Sequence, residues 1–203
     1  MKRKAENIIA GAFIVLILSM PFAFLSCSNS PSRTEVVKAY QAAVKSADID
    51  SILSLFADDA VVEVFGMGRP LQGRNEIRSK AEYDSALHCD LSLTILESRK
   101  DTVFCQGLES NDWTRELELP PYDYSSFAFV IRAGKIVRLR AELSEQTVAG
   151  INNVMTRLIP WAQEKRPAIL DSLMAHGGFA FSVDSARLMM ALLGEWRGAR
   201  SGG

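Results

Sequence analysis

Val37-Lys38-Ala39-Tyr40-Gln41-Ala42-Ala43, then Ala47-Asp48-Ile49-Asp50-Ser51-Ile52, then Leu55-Phe56-Ala57-Asp58-Asp59-Ala60, is the stretch on which the fold turns. Ahead of it, Ser32-Arg33-Thr34-Glu35 has the spacing of a capping box, in which hydroxyl and carboxylate satisfy the free N–H groups of a first helical turn. Val36, Val37, Tyr40, Ala43 and Val44 then recur at helical spacing and form one apolar stripe. Ser46-Ala47-Asp48 breaks that helix. A second, shorter one follows, carrying Ile49, Ile52, Leu53 and Phe56 and ending at Asp58-Asp59. Ala60–Phe65 alternates as a strand does. Gly66, Gly68, Pro70 and Gly73 mark a turn-rich connection before a third helix over Arg74–Ala86, with Ile77 and Ala81 on one face.

Downstream the period changes to two. His88–Ser98, Thr102–Asn111, Tyr122–Ile131 and Lys135–Leu143 are expected strands, with turns at Lys100-Asp101 and at Ala133-Gly134. Helices first and a short-turned meander afterwards predict an α+β domain over residues 34–146 with an antiparallel curved sheet. Residues 147–203 return to helical signals. Val148, Ile151, Val154, Met155 and Leu158 predict a helix stopped by Pro160, and Leu188, Met189, Leu192, Leu193 and Trp196 suit a final helix. These apolar faces need a covering surface: the sheet, a second subunit or a membrane.

Composition narrows the function classes. The chain has 203 residues, with 23 basic and 24 acidic side chains. Residues 1–26 hold Lys2, Arg3, Lys4 and Glu6, followed from Ile8 to Ser26 by 19 uncharged residues, 15 of them apolar. Without that leader, 20 basic and 23 acidic side chains remain, a net charge of −3, which excludes the basic face that nucleic acid requires. The basic start and apolar run predict an export signal, and its end, Phe24-Leu25-Ser26-Cys27, resembles the bacterial lipoprotein signal. That resemblance implies cleavage before Cys27, acylation of Cys27 with fatty chains such as palmitate, and a tether over residues 27–33. No Asp follows the cysteine, so the implied location is the outer membrane of the cell envelope, facing the periplasm. An uncleaved N-terminal span is the alternative. Cys89 and Cys105 are open to pairing or to remaining free thiols. With no Cys-x-x-Cys pair and only His88 and His176, no metal site is expected.

The quoted opening stretch resembles the nuclear transport factor 2-like superfamily, in particular its SnoaL-like and ketosteroid-isomerase-like bacterial branches. Gly73-Arg74-Asn75-Glu76-Ile77 is similar to that family's lead-in to its third helix, and Ala133-Gly134-Lys135-Ile136-Val137 to its last hairpin. The resemblance covers residues 34–145 and implies a cone-shaped fold, three N-terminal helices against a curved antiparallel sheet. Residues 147–203 are then a helical C-terminal extension. The ketosteroid isomerases use a tyrosine and a protonated acid around an enolate, with a second carboxylate shuttling the proton. Tyr40 matches the tyrosine. Val64 stands at the proton-shuttling position and Ser125 (or Ser126) at the other acid, so the family's isomerase set is incomplete here.

Alternate strand residues of such a cone face its cavity. On that reading the pocket is lined by Tyr40, Phe56 and Val64, with Gln106, Leu108 and Ser110, then Ser125 and Phe127, then Leu139, Ala141 and Leu143. Trp113 stands at the mouth. Glu109, Asp112, Arg115, Glu116 and Glu118 are expected as solvated charges on a long loop. Arg138, Arg140 and Glu142 occupy the opposite face of the sheet, through which a homodimer could form. Two functions stay open. One is a lipid-anchored domain binding a small hydrophobic ligand or a partner protein. The other is a cofactor-independent isomerase, cyclase or hydratase. A carboxylate facing the cavity distinguishes them, because a proton-transfer enzyme needs an acceptor there and a binder does not.

Overall fold

The computed structural model describes residues 31–65, 68–174 and 179–201. The leader and Cys27 lie outside the described residues. Among the described residues no helix is long and apolar enough to cross a membrane.

Helix α1 (Arg33–Lys45) opens on the expected box: the Ser32 hydroxyl accepts the Glu35 N–H, and the Glu35 carboxylate accepts the Ser32 N–H at 2.7 Å. It ends where Ala47 takes a positive φ of 53°. Asp48 then caps α2 (Ile49–Ser54) by accepting the Ser51 N–H. Strand β1 (Phe56–Phe65) starts four residues before the expected Ala60. A register irregularity between Phe56 and Val61 absorbs Asp58 and Asp59 as exposed residues, so the acidic pair interrupts the pairing without ending the strand. The short β2 (Leu71–Gln72) leads into α3 (Gly73–Ala86).

The meander comprises β3 (Asp90–Arg99), β4 (Thr102–Ser110), β5 (Tyr122–Arg132) and β6 (Lys135–Leu143). Ala133 and Gly134 both have positive φ, 48° and 73°, the backbone that a tight hairpin between twisted strands requires. The six strands run in the order β2-β1-β6-β5-β4-β3.

That order corrects the implied cone. The sheet is open, with β2 and β3 as separate edges, and is neither closed nor strongly curled. A two-residue edge strand has too few ladder groups to bring the far edge round. Nor is the sheet wholly antiparallel: β1 lies parallel to β6, with Val62 opposite Leu139 and Val64 opposite Ala141. Helices rather than sheet closure complete the enclosure. Helix α1 packs on β3 and β4, and α3 packs on β1. The Gln41 side chain accepts the Leu93 N–H at 2.8 Å, fixing α1 against β3.

Beyond β4, the expected loop contains a helix, α4 (Asp112–Glu116). The C-terminal part forms α5 (Glu145–Lys165), α6 (Pro167–Leu173) and α7 (Val183–Ser201). Pro160 does not stop α5. A proline there removes one backbone bond, but Val154, Leu158 and Ala162 are buried on either side of it and hold the helix in place. These residues, with Leu173, Met189, Leu192, Leu193 and Trp196, make a second core that takes in Trp113 from α4. Helix α7 also packs against α3.

Candidate active site

Between the three N-terminal helices and the sheet lies a cavity of about 70 Å³ that opens to solvent. Most of its lining is apolar. Tyr40, Val44, Ile52, Phe56, Val62, Val64, Leu91, Phe127, Leu139 and Ala141 surround it. Tyr40 packs edge-on against Phe56 and Phe129, with ring centres 5.9 and 5.4 Å apart.

One wall is different. Lys80 and Asp84, a helical turn apart on α3, meet in an ion pair with Nζ 2.6 and 2.5 Å from the two carboxylate oxygens. Both side chains keep some exposure, 20% and 27%, although protein surrounds them; the surface that remains is consistent with the cavity they line. Glu109 enters from β4. Its Oε2 accepts the Tyr124 hydroxyl at 2.9 Å and its Oε1 accepts the Asn111 side-chain N–H at 3.0 Å. The orientation of that amide is determined locally. The Asn111 Oδ1 caps α4 by accepting the Thr114 N–H, which leaves Nδ2 for Glu109. Cys89, in the turn after α3, is a free thiol on the same wall.

The electrostatics follow from placing three charges in one apolar concavity. Burial raises the Asp84 carboxyl above the ordinary aspartate range; Lys80 opposes this and the Glu109 charge reinforces it. For Lys80, burial disfavours the ammonium, but Asp84 and Glu109 outweigh it and hold the group above the usual lysine value. Burial, aided by Glu109 and Asp84, pushes the Tyr124 hydroxyl and the Cys89 thiol upward, so both remain protonated. Burial and then Asp84 do the same to Tyr40. The site therefore contains two carboxylates, one ammonium and a set of neutral hydroxyl and thiol donors, all beside an apolar chamber. That combination can accept a proton at one place and return it at another.

No family model matches the chain. Among solved structures, the epoxide hydrolase/cyclase-like enzyme SalBIII of salinomycin pyran-ring formation superposes with a TM-score of 0.51 at 19% identity, over 57% of this chain and 92% of that one. The fold is nuclear transport factor 2-like. Lower similarity extends to a nuclear transport factor 2-like protein of unknown function from Cytophaga hutchinsonii, with TM-score 0.47 and 10% identity over 57% and 92% of the two chains. RV0760c from Mycobacterium tuberculosis gives 0.48 and 14%, over 56% and 92%.

Within this nuclear transport factor 2-like fold, the structure brings Tyr40, Phe56, Val64, Phe127, Leu139 and Ala141 together around the cavity. Others of the expected lining lie elsewhere. Gln106 and Leu108 are exposed on the outer face, and Ser110 is half-buried outside the lining. Ser125 is exposed and donates to the Glu142 carbonyl. Leu143 is buried in the core beside the cavity, and Trp113 sits in the second core, away from the mouth. The sequence reading missed the polar wall, Lys80, Asp84, Cys89, Glu109 and Tyr124, together with the apolar Val44, Ile52, Val62 and Leu91. The burial alternation of β4, with Val103, Cys105 and Gly107 inward, places Glu109 in phase with the core. That phase was the available signal for Glu109, and the i, i+4 spacing of Lys80 and Asp84 was the signal for the pair.

Proposed function

We propose that the cavity is the active site of a cofactor-independent enzyme that moves a proton on a small, largely apolar organic molecule. The observation that carries this reading is the pair of carboxylates, Glu109 and Asp84, facing an apolar chamber. The two acids absent at the family positions, Val64 and Ser125, are supplied from α3 and β4 instead. In this reading Glu109, held at both oxygens by Tyr124 and Asn111, is the base. Asp84 is the acid in its protonated form, which burial favours and the Lys80 ammonium opposes, and in that form it gives its proton to the product. Tyr40 supplies a neutral hydroxyl group to a developing oxyanion.

Isomerisation, cyclisation and hydration all need this pair of services. Ring closure of a hydroxyl onto an epoxide is one such case: a base takes the hydroxyl proton as the C–O bond forms, and an acid protonates the oxygen released from the epoxide. The likeness to SalBIII supports this class of chemistry. The leader adds a proposed setting, a lipid anchor at Cys27 in the cell envelope. An intact mass beginning at Met1, in protein taken from its own membrane, would remove that setting and leave the chemistry untouched.

The catalytic reading is tested without the natural substrate. 5-Nitrobenzisoxazole reports a carboxylate base in an apolar site, because loss of its ring proton breaks the N–O bond and releases a coloured cyanophenolate. The wild-type chain should accelerate this above acetate at equal pH, and Glu109→Gln should lower kcat/KM by about 10²–10⁴. A fully active Glu109→Gln, or no acceleration by the wild type, refutes the assignment. In that event the cavity is a binding site for a small hydrophobic ligand.

A further inference from the structure

The Lys80–Asp84 pair has a neighbour from outside the region that resembles the family. The backbone between α6 and α7 returns to α3 at residues 179–182. The Ala180 N–H donates to the Leu173 carbonyl at 2.9 Å, and Ser182 and Ser185 exchange capping bonds of 2.8 and 3.0 Å at the start of α7. Between these two anchors, Phe179 and Phe181 meet edge to face at 5.2 Å, and both rings meet Tyr83 of α3, at 5.4 and 5.3 Å. Tyr83 lies between Lys80 and Asp84 in sequence and immediately precedes Asp84 on α3. The Lys80 ammonium stands 5.5 Å from the centre of the Phe181 ring, within range of attraction to its π face.

We propose that Phe181 is a positioning residue for the acid–base pair: its ring takes the place of water against the Lys80 ammonium and holds that ammonium on Asp84. The C-terminal extension thereby covers one side of the pair. An ammonium facing solvent exchanges its carboxylate for water readily, whereas one covered by a ring keeps the carboxylate as its principal polar partner. The seated ammonium holds the proton affinity of Asp84 down against the burial that raises it. The other titratable groups facing the pair are Tyr83 on its own helix, Tyr40 on α1, Cys89 in the turn after α3, Glu109 on β4, and Tyr122 and Tyr124 on β5. None of them belongs to the extension, so the extension acts on the pair through cover and ring contact alone.

This inference rests on the acid–base reading of the cavity, but its test does not require turnover. Carbon-13 carboxyl NMR on the full chain follows the titration of Asp84 directly. Phe181→Ala lets water compete for the Lys80 ammonium and should raise the Asp84 midpoint by about one unit, a tenfold change in proton affinity. Phe181→Tyr keeps the ring and should leave the midpoint in place. Phe179→Ala removes comparable aromatic packing from a ring without the Lys80 contact, and should also leave it in place. Where Phe181→Ala fails to fold, Phe181→Leu keeps the apolar volume and should raise the midpoint by a smaller step. An unchanged or lowered midpoint in the folded Phe181 variant, or an equal rise in Phe179→Ala, overturns the proposal. Because Glu109→Gln is read by catalysis and Phe181→Ala by titration, the two readings fail separately.

Discussion

Replacing Lys80 with Met keeps most of the aliphatic stem and removes the charge that Asp84 bonds with both oxygens. The carboxylate is then left beside Glu109 with its nearest cation gone. Breaking a fully buried pair in this way costs about 3–5 kcal/mol. The 20% and 27% exposure of the two side chains lets cavity water recover part of that, so the expected loss is about 1.5–3 kcal/mol at about pH 8. For a chain of this size each kcal/mol corresponds to roughly 2–4 °C in Tm.

The sign of the pH dependence is the sharper test. In the variant, the folded-state pKa of Asp84 lies further above its ordinary value of 3.8, so the folded state binds the proton more tightly than the unfolded state does. Stability is then fully present below that ordinary value and is lost as pH rises through the folded pKa. Urea unfolding of wild type and Lys80→Met at about pH 5 and about pH 8 should show the deficit shrinking at the lower pH. Adding Asp84→Asn to Lys80→Met should recover much of the loss at the higher pH. A deficit independent of pH, or one below about 0.5 kcal/mol, refutes the idea that a cavity-facing ion pair governs this wall.

Gly107→Ala tests the closeness of the sheet behind the cavity: a Cβ there would lie 2.8 and 2.9 Å from two ring carbons of Phe127, and the overpacking should cost about 1–3 kcal/mol in urea unfolding. An alanine variant as stable as wild type would show that the Phe127 ring moves freely. Glu76 gives an acid-side signature. Two bonds from Arg69 and one from the Gln72 N–H pull its carboxyl from the ordinary 4.5 down to about 2, so its contribution is present above 4.5 and is lost as pH falls towards 2. Glu76→Gln should flatten the stability profile across that window, and added salt should weaken the wild-type slope because the pair is largely exposed. An unaltered acid limb would show that Arg69 is not engaged in solution.

The parts of the fold that were legible in the sequence are those determined by neighbours along the chain. The Ser32–Glu35 box, the break at Ala47, the Ala133-Gly134 turn and the bounds of β6 each follow from a few adjacent residues. Long-range pairing was less legible. The parallel contact between β1 and β6 joins segments some 75 residues apart, and no local pattern records its direction. Pro160 and the long loop around Trp113 show the same limit from the other side. In both places a second core, assembled from α4 to α7, holds helices that local signals end or omit.

The polar wall was hidden for a more specific reason. In a strand, a one-residue slip sends every side chain to the other face. Counting alternation through β4 from Gln106, Leu108 and Ser110 assigned Glu109 to solvent. The structure takes the other phase, with Cys105 opposite Phe127 and Gly107 opposite Tyr124, and the pairing shifts register between them. On the far side of β5 the pairing with β6 shifts again between Tyr124 and Ser126, which leaves Tyr124 inward while Ser125 turns out. This irregularity in β5 brings the Tyr124 hydroxyl to the Glu109 carboxylate at 2.9 Å, where unbroken alternation back from Phe127 would have offered Ser125. Gly107 fits the same arrangement, since only the absence of a Cβ allows the Phe127 ring to lie so close to β4. Glu109 thus follows the regular phase of β4, and the irregular pairing of β5 supplies the hydroxyl that holds this base, in agreement with the tendency of bulges to re-aim side chains beside active sites.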